Sequence, residues 1–210
     1  MSFPLTDVLR QQYQSLFDTC NISDAHIVDV NPVIARIMPN QARYHSVAAP
    51  LGIPWYFVAV VHCMETSLNF ALHLHNGDPL SARTVHVPAG RPTTGAPPFT
   101  WEQSATDALR FQGLANLSDW SLPTTLYRLE GYNGYGYHRV TPPINSPYLW
   151  SFSNHYTAGK FTSDHGFDPN AVSKQCGAAV ILRKMVQNGV VTFAPTASAS
   201  TAATPSSGGN

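Results

Sequence analysis

Between Pro54 and Glu65 the chain is apolar on every side: Trp55-Tyr56-Phe57-Val58-Ala59-Val60-Val61-His62-Cys63-Met64 shows no polar face until His62. Proline favours the first turn of a helix, so Pro54 predicts a helix that opens there. A helix apolar all round has to be surrounded by other elements. The rest of the chain is therefore expected to wrap around this segment, and the run closes on a carboxylate, Glu65, followed by the polar stretch Thr66-Ser67-Leu68-Asn69. Burial and the partial negative charge of a helix C-terminus both disfavour an ionised carboxylate, which would raise its pKa and fit it to act as a general acid. The plain alternative is a helix end that simply surfaces, with its acid solvated or paired to an arginine.

A second carboxylate follows in His73-Leu74-His75-Asn76-Gly77-Asp78-Pro79, a turn-rich polar segment. Two acids in unlike surroundings, one protonated and one ionised, are what glycosidic cleavage requires. Asn-Gly-Asp-Pro is equally the composition of an ordinary turn.

With 210 residues, 43% hydrophobic and 11% aromatic, the chain can bury one ordinary core, as one domain or one domain with an appendage. Charged residues make up 11% and balance to zero, which disfavours nucleic acid and anionic membranes as partners. Cys20, Cys63 and Cys176 are odd in number and widely spaced, with no C-x-x-C pair, so neither a disulfide framework nor a zinc ribbon is expected. The opening residues lack a basic stretch followed by an apolar one, and the longest apolar run is too short to cross a bilayer. The expectation is a soluble protein without a standard export signal and without membrane insertion.

Helical spacing predicts a helix from Thr6 to Cys20 and another from Ser23 or Asp24 through Met38, with Pro32 and Pro39 as interruptions. Residues from about 72 to 99 are too rich in proline and glycine for a long helix, and Ala82-Arg83-Thr84-Val85-His86-Val87 alternates like a small hairpin. Thr100 and Gln103 form a capping-box pattern for a helix to about Gln112. Further helices are expected from Ser121 and Pro123 to Gly131, and from Asp168-Pro169 to Gly189. Pro195 to Asn210 reads as a disordered tail. The expected fold is mainly α (α+β), a helical body with a small β-hairpin lobe after the buried acidic helix. It divides into an N-terminal helical segment over 1–48, a catalytic domain over 49–192 and a tail over 193–210.

The chain resembles the lysozyme-like superfamily of peptidoglycan hydrolases and transglycosylases in three places. Glu65-Thr66-Ser67 with Asn69-Phe70 is similar to the superfamily's catalytic glutamate, which closes a buried helix ahead of small hydroxyl residues. Leu129-Glu130-Gly131-Tyr132-Asn133-Gly134-Tyr135-Gly136-Tyr137 looks like the tyrosine-asparagine-glycine element that lines the sugar cleft of transglycosylases. Ser146-Pro147-Tyr148-Leu149-Trp150 with Asn154-His155-Tyr156 is similar to a late aromatic segment in bacterial and phage lysozyme-like proteins that also share His75-Asn76-Gly77-Asp78-Pro79-Leu80. The likeness covers roughly residues 50 to 188. The Gly-Leu-Met-Gln type motif of soluble transglycosylases is replaced by the His-Asn-Gly-Asp-Pro loop.

The resemblance implies a glycosidase, muramidase- or endolysin-like, that cleaves β-1,4 bonds of peptidoglycan or a related N-acetylglucosamine glycan without a cofactor. Glu65 would protonate the leaving oxygen, Asp78 would assist on the opposite face, and His75, Asn76, Tyr132, Asn133, Gly134 and Tyr148 would hold the glycan. Such a protein would reach the cell wall after release or by non-standard export. A lytic transglycosylase, a chitinase and a non-catalytic glycan-binding module are the alternatives on the same scaffold. His62, His73, His75 and His86 raise a zinc amidase or peptidase as the main rival, but they lack the paired-histidine helical signature, so no metal is expected. Cys63, near the C-terminal end of an apolar helix, is poorly placed to form a thiolate. Nothing in the sequence specifies an oligomeric state.

Overall fold

The computed structural model describes residues 3–163 and 166–193. It is mainly helical. Helix α1 (Asp7–Asp18) starts where the Thr6 hydroxyl accepts the Leu9 N–H, and it buries Leu9, Tyr13 and Phe17 along one face. Helix α2 (Ile27–Ile37) follows a 3₁₀ turn over Asp24–His26 and buries Val30, Ile34 and Ile37. Pro32, expected to interrupt this helix, lies inside it. The bond it removes is the one to the Val28 carbonyl, and Val28 is 71% exposed, so the loss falls on the solvent side. A turn containing Pro39 leads into α3 (Gln41–Ala48), a helix that sequence patterning does not delimit.

Helix α4 (Trp55–Thr66) is the centre of the molecule. Pro54 caps its start, and Phe57, Val58, Ala59, Val60 and Val61 are all fully buried. Phe57 and the three valines each contribute about 1.5–3 kcal/mol, the magnitude for removing such a side chain from water, and Ala59 less. The surrounding layer is α3, α6 (Leu122–Asn133) and α8 (Ala178–Gln187), with α5 (Trp101–Phe111) against α3. The expected capping box of α5 is present: the Thr100 hydroxyl accepts the Gln103 N–H and the Gln103 side chain accepts the Thr100 N–H. Short helix α7 (Pro147–Trp150) lies between α6 and α8. Because α1 packs on α6 and α2 on α8, the first three helices share one hydrophobic core with the rest of the chain.

Two elements differ from the sequence expectation. The hairpin over residues 82–87 is absent. Instead, Asp78 takes the N–H groups of Val85 and His86, and the Thr84 hydroxyl takes that of Arg91 while donating to the Pro88 carbonyl. Side chains thus consume the backbone groups that a ladder would use. The sheet that does form is β1 (Lys160–Ser163) with β2 (Gly166–Asp168), antiparallel and far along the chain. The last helix begins at Ala178, ten residues after the expected start. The intervening stretch is spent on other bonds: Asp168 closes a turn on the Asn170 N–H, Ala171 O accepts from Gly159, and Ser173 donates to the Tyr156 hydroxyl. Of the predicted tail, residues 194–210 lie outside the described residues, and Phe193 packs edge-on to Phe17 and Tyr56. Among the described residues no single helix is long and apolar enough to cross a membrane.

Candidate functional site

Three helix ends converge on Glu65. Helix α4 supplies the carboxylate from its last turn, and α7 supplies Tyr148, whose hydroxyl donates to Glu65 Oε1 at 2.8 Å. The last turn of α6 supplies Tyr132, whose hydroxyl is buried without a hydrogen-bond partner. Burial first, and then the nearby charge of Glu65, push the Tyr132 phenol well above the ordinary tyrosine range. Tyr148 is pushed up by the same causes.

The chain turns sharply after Glu65. Ser67 (φ 52°) and Leu68 (φ 60°) both adopt left-handed backbone, and their N–H groups return to the carbonyls of Cys63 and His62. Left-handed backbone costs a non-glycine residue about 1–2 kcal/mol. Two long side chains hold the turn. Arg36 Nη2 donates to the Ser67 carbonyl at 2.8 Å, and Gln175 Nε2 donates to the Met64 carbonyl at 2.8 Å. Neither residue is marked out by any sequence pattern; the packing of α2 and of the segment before α8 brings them to the turn.

Glu65 is exposed to water, yet protein crowds its carboxylate closely enough that desolvation raises its pKa, with the Tyr148 hydrogen bond acting in the opposite direction. Water still reaches the group and moderates the shift. A carboxyl displaced upward in this way keeps its proton to higher pH than a fully solvated one, the direction that suits a proton donor.

Asp78 stands in different surroundings. One oxygen accepts the His86 Nδ1–H at 2.6 Å, and the other accepts the N–H groups of His86 and Val85 at 3.0 and 2.8 Å. The His86 side chain and these N–H groups hold its carboxyl well below the usual carboxylate range. The acid expected to act opposite Glu65 is thus engaged inside its own loop lobe. His75 and Asn76 are engaged there too. Asn76 Nδ2 donates to the His86 carbonyl, and the buried His75 Nε2 donates to Asp107, which also takes a two-pronged bond from Arg91. The structure therefore brings Tyr132 and Tyr148 to Glu65 and uses Asp78, His75 and Asn76 to build the lobe.

Gly134 ends α6 with φ 80° and ψ 163°, a conformation open essentially to glycine alone. Its neighbour Asn133 is exposed and lines a groove of about 440 Å³ with Gly136, Tyr137, Phe161, Thr162 and Ser163. A hollow of about 650 Å³ lies between the start of α2, the loop over 153–157 and the end of α8. Glu65 lines neither of them.

Among the described residues no three His, Cys, Asp or Glu side chains stand together as a metal-binding group. His62 is buried, hydrogen-bonded to the Tyr44 hydroxyl, and lowered to about 4 by burial. Both nitrogens of His73 are used, Nε2 donating to the Ala82 carbonyl and Nδ1 accepting from Ser104. Burial pushes the Cys63 thiol up to about 11, away from the thiolate a nucleophile needs. One buried acid has no role in the sequence reading: Glu130 on α6, which accepts from the Tyr13 hydroxyl at 2.5 Å and faces His138 Nε2 at 3.1 Å. No protein-family model, curated protein or solved structure matches the chain.

Proposed function

We propose that this protein is a lysozyme-like glycosidase that cleaves β-1,4 bonds of peptidoglycan, with Glu65 as the general acid. The observation that carries the reading is a carboxyl raised by desolvation at the end of a buried helix, hydrogen-bonded by Tyr148 and flanked by the unspent hydroxyl of Tyr132. Protonated Glu65 gives its proton to the glycosidic oxygen as the C–O bond breaks. The carboxylate left behind is stabilised by the Tyr148 hydroxyl, since a hydrogen bond to an ionised acceptor is stronger than one to a neutral acid. Tyr132 walls the Glu65 carboxyl with its buried phenol, and the exposed Asn133 offers an amide to an N-acetyl group or a hydroxyl.

Because both Asp78 oxygens are committed to His86 and Val85, Asp78 serves in this reading as the anchor of the lobe, and the mechanism rests on one carboxyl group. That same observation supports a second reading, lytic transglycosylation, in which the muramyl C6 hydroxyl captures the anomeric carbon in place of water; in either case the attacking O–H gives its proton to the Glu65 carboxylate. Mass spectrometry of peptidoglycan digested by the wild type and by Glu65→Gln tests both. Free reducing ends indicate hydrolysis and 1,6-anhydro ends transglycosylation, and Glu65→Gln should slow either by about 10²–10⁴-fold, the usual contribution of a positioned acid. Wild-type protein that releases no sugar ends, or a Glu65→Gln variant of undiminished activity, overturns the proposal.

A further inference from the structure

The 650 Å³ hollow lies outside the Glu65 group and has the size of a small-molecule site. Its walls are fixed before any ligand arrives. Segments 21–23 and 152–154 are clipped together by a bridge between Ile22 and Ser153, by Ser23 N–H on the Phe152 carbonyl, and by Asn154 N–H on the Asn21 carbonyl. The Asn154 side chain adds two more bonds, accepting from the Asn21 N–H and donating to the Thr19 carbonyl. Tyr156 is held equally firmly, because its hydroxyl donates to backbone carbonyls and accepts the Ser173 N–H; what it offers the hollow is its ring.

Against this rigid frame stand polar side chains that bond to nothing else among the described residues. Asn31 and Gln187 supply amides, Ser23 and Thr157 hydroxyls, and Asp24 and Lys184 one charge of each sign. Ile27 and Val30 give an apolar floor. The set is nearly neutral, mixes donors with acceptors and includes a ring. A nucleotide or phosphate would need clustered cations or a nest of backbone N–H groups, and one lysine balanced by one aspartate is a poor substitute. A pyranose is the complementary shape, with hydroxyls for paired amides and an apolar C–H face for a tyrosine ring.

We propose that this hollow is a second saccharide-binding site, which holds a short N-acetylated glycan segment apart from the cleavage centre. The N-acetylated class of glycan rests on the glycosidase reading above, whereas binding in the hollow needs no chemistry at Glu65. The test uses the full chain carrying Glu65→Gln, so that no bond is cut, titrated with triacetylchitotriose and followed by ¹⁵N–¹H NMR. The side-chain amides of Asn31 and Gln187 and the backbone around Lys184 should shift together on one binding curve. Adding Asn31→Ala and Gln187→Ala, both at exposed positions, should weaken that curve roughly tenfold or more, as expected for two lost hydrogen bonds. Shifts confined to Tyr132, Tyr148 and their neighbours, affinity unchanged by the double substitution, or a response to a free stem peptide but not to the sugar would each overturn the assignment. Cell-wall cleavage by the wild type is scored separately and bears only on Glu65.

Discussion

Replacing Gly177 with alanine should loosen the joint that carries Tyr148. Gly177 is the residue before α8, and its φ of −71° and ψ of 146° suit any amino acid, so alanine brings no conformational penalty. Space is the difficulty. An added Cβ would stand 2.2 Å from the Leu149 carbonyl oxygen, 2.6 Å from the carbonyl carbon and 2.9 Å from the Ser151 nitrogen. All three are backbone atoms at the end of α7, and none can swing aside as a side chain could. Overpacking a well-filled core costs about 1–3 kcal/mol, and an obstacle made wholly of backbone puts this case near ~3 kcal/mol or above. For a domain of this size each kcal/mol lowers Tm by roughly 2–4 °C, so Gly177→Ala should melt about 6–12 °C below the wild type. Gly90→Ala is the control. That glycine has φ +77° and nothing within 4 Å, so it carries only the left-handed backbone cost of about 1–2 kcal/mol and a correspondingly smaller fall. Calorimetry or thermal circular dichroism reads both. If Gly177→Ala melts within 2 °C of the wild type, or no lower than Gly90→Ala, the contact between α7 and α8 is not as close as described here.

Tyr148→Phe removes the hydroxyl that holds the Glu65 carboxyl down, so the carboxyl stays protonated to higher pH and the alkaline limb of the pH–rate profile moves upward; a limb that stays put or moves down refutes this role. Glu65→Gln should also change stability. The folded carboxyl is raised above its unfolded value, so the acid's favourable contribution is complete below about pH 4.3, the unfolded glutamate value, and is lost as pH rises through the folded value. Glutamine escapes that loss, and the variant should melt above the wild type at pH 8 but not at pH 3; equal differences at both would argue against desolvation. Asp78→Asn has the opposite sign. The carboxyl is depressed, so its contribution is present above about pH 3.9 and lost as pH falls through the folded value. The asparagine variant should therefore exchange the Val85 and His86 amides faster at neutral pH. Its cell-wall activity should fall less than about tenfold, in contrast to the 10²-fold or greater loss of a group that transfers the proton. A loss as large as that of Glu65→Gln would restore Asp78 to the reaction.

The central helix is readable in the sequence because its burial is written residue by residue: Pro54 opens it, apolar side chains fill every face, and Glu65 ends it. The α5 capping box is readable for a similar reason, since both partners lie within four residues. The loop lobe resists the same treatment. Whether Ala82 to Val87 pairs as a hairpin depends on where the Asp78 carboxylate points, a contact spanning seven or eight residues that alternation of side chains does not encode. At the site, Glu65 stands out by its position and Tyr132 and Tyr148 by the family resemblance. Arg36 and Gln175 do not, because each acts on a main-chain carbonyl more than thirty residues away. The late start of α8 likewise depends on distant partners, such as the Tyr156 hydroxyl that takes the Ser173 N–H.

The grip of Arg36 and Gln175 on the carbonyls of Ser67 and Met64 carries a consequence for how such a centre ages. A carbonyl is the same group whatever side chain it accompanies. Glu65 is held in part through the peptide spine, so a change of side chain at the exposed Ser67 leaves the Arg36 bond available.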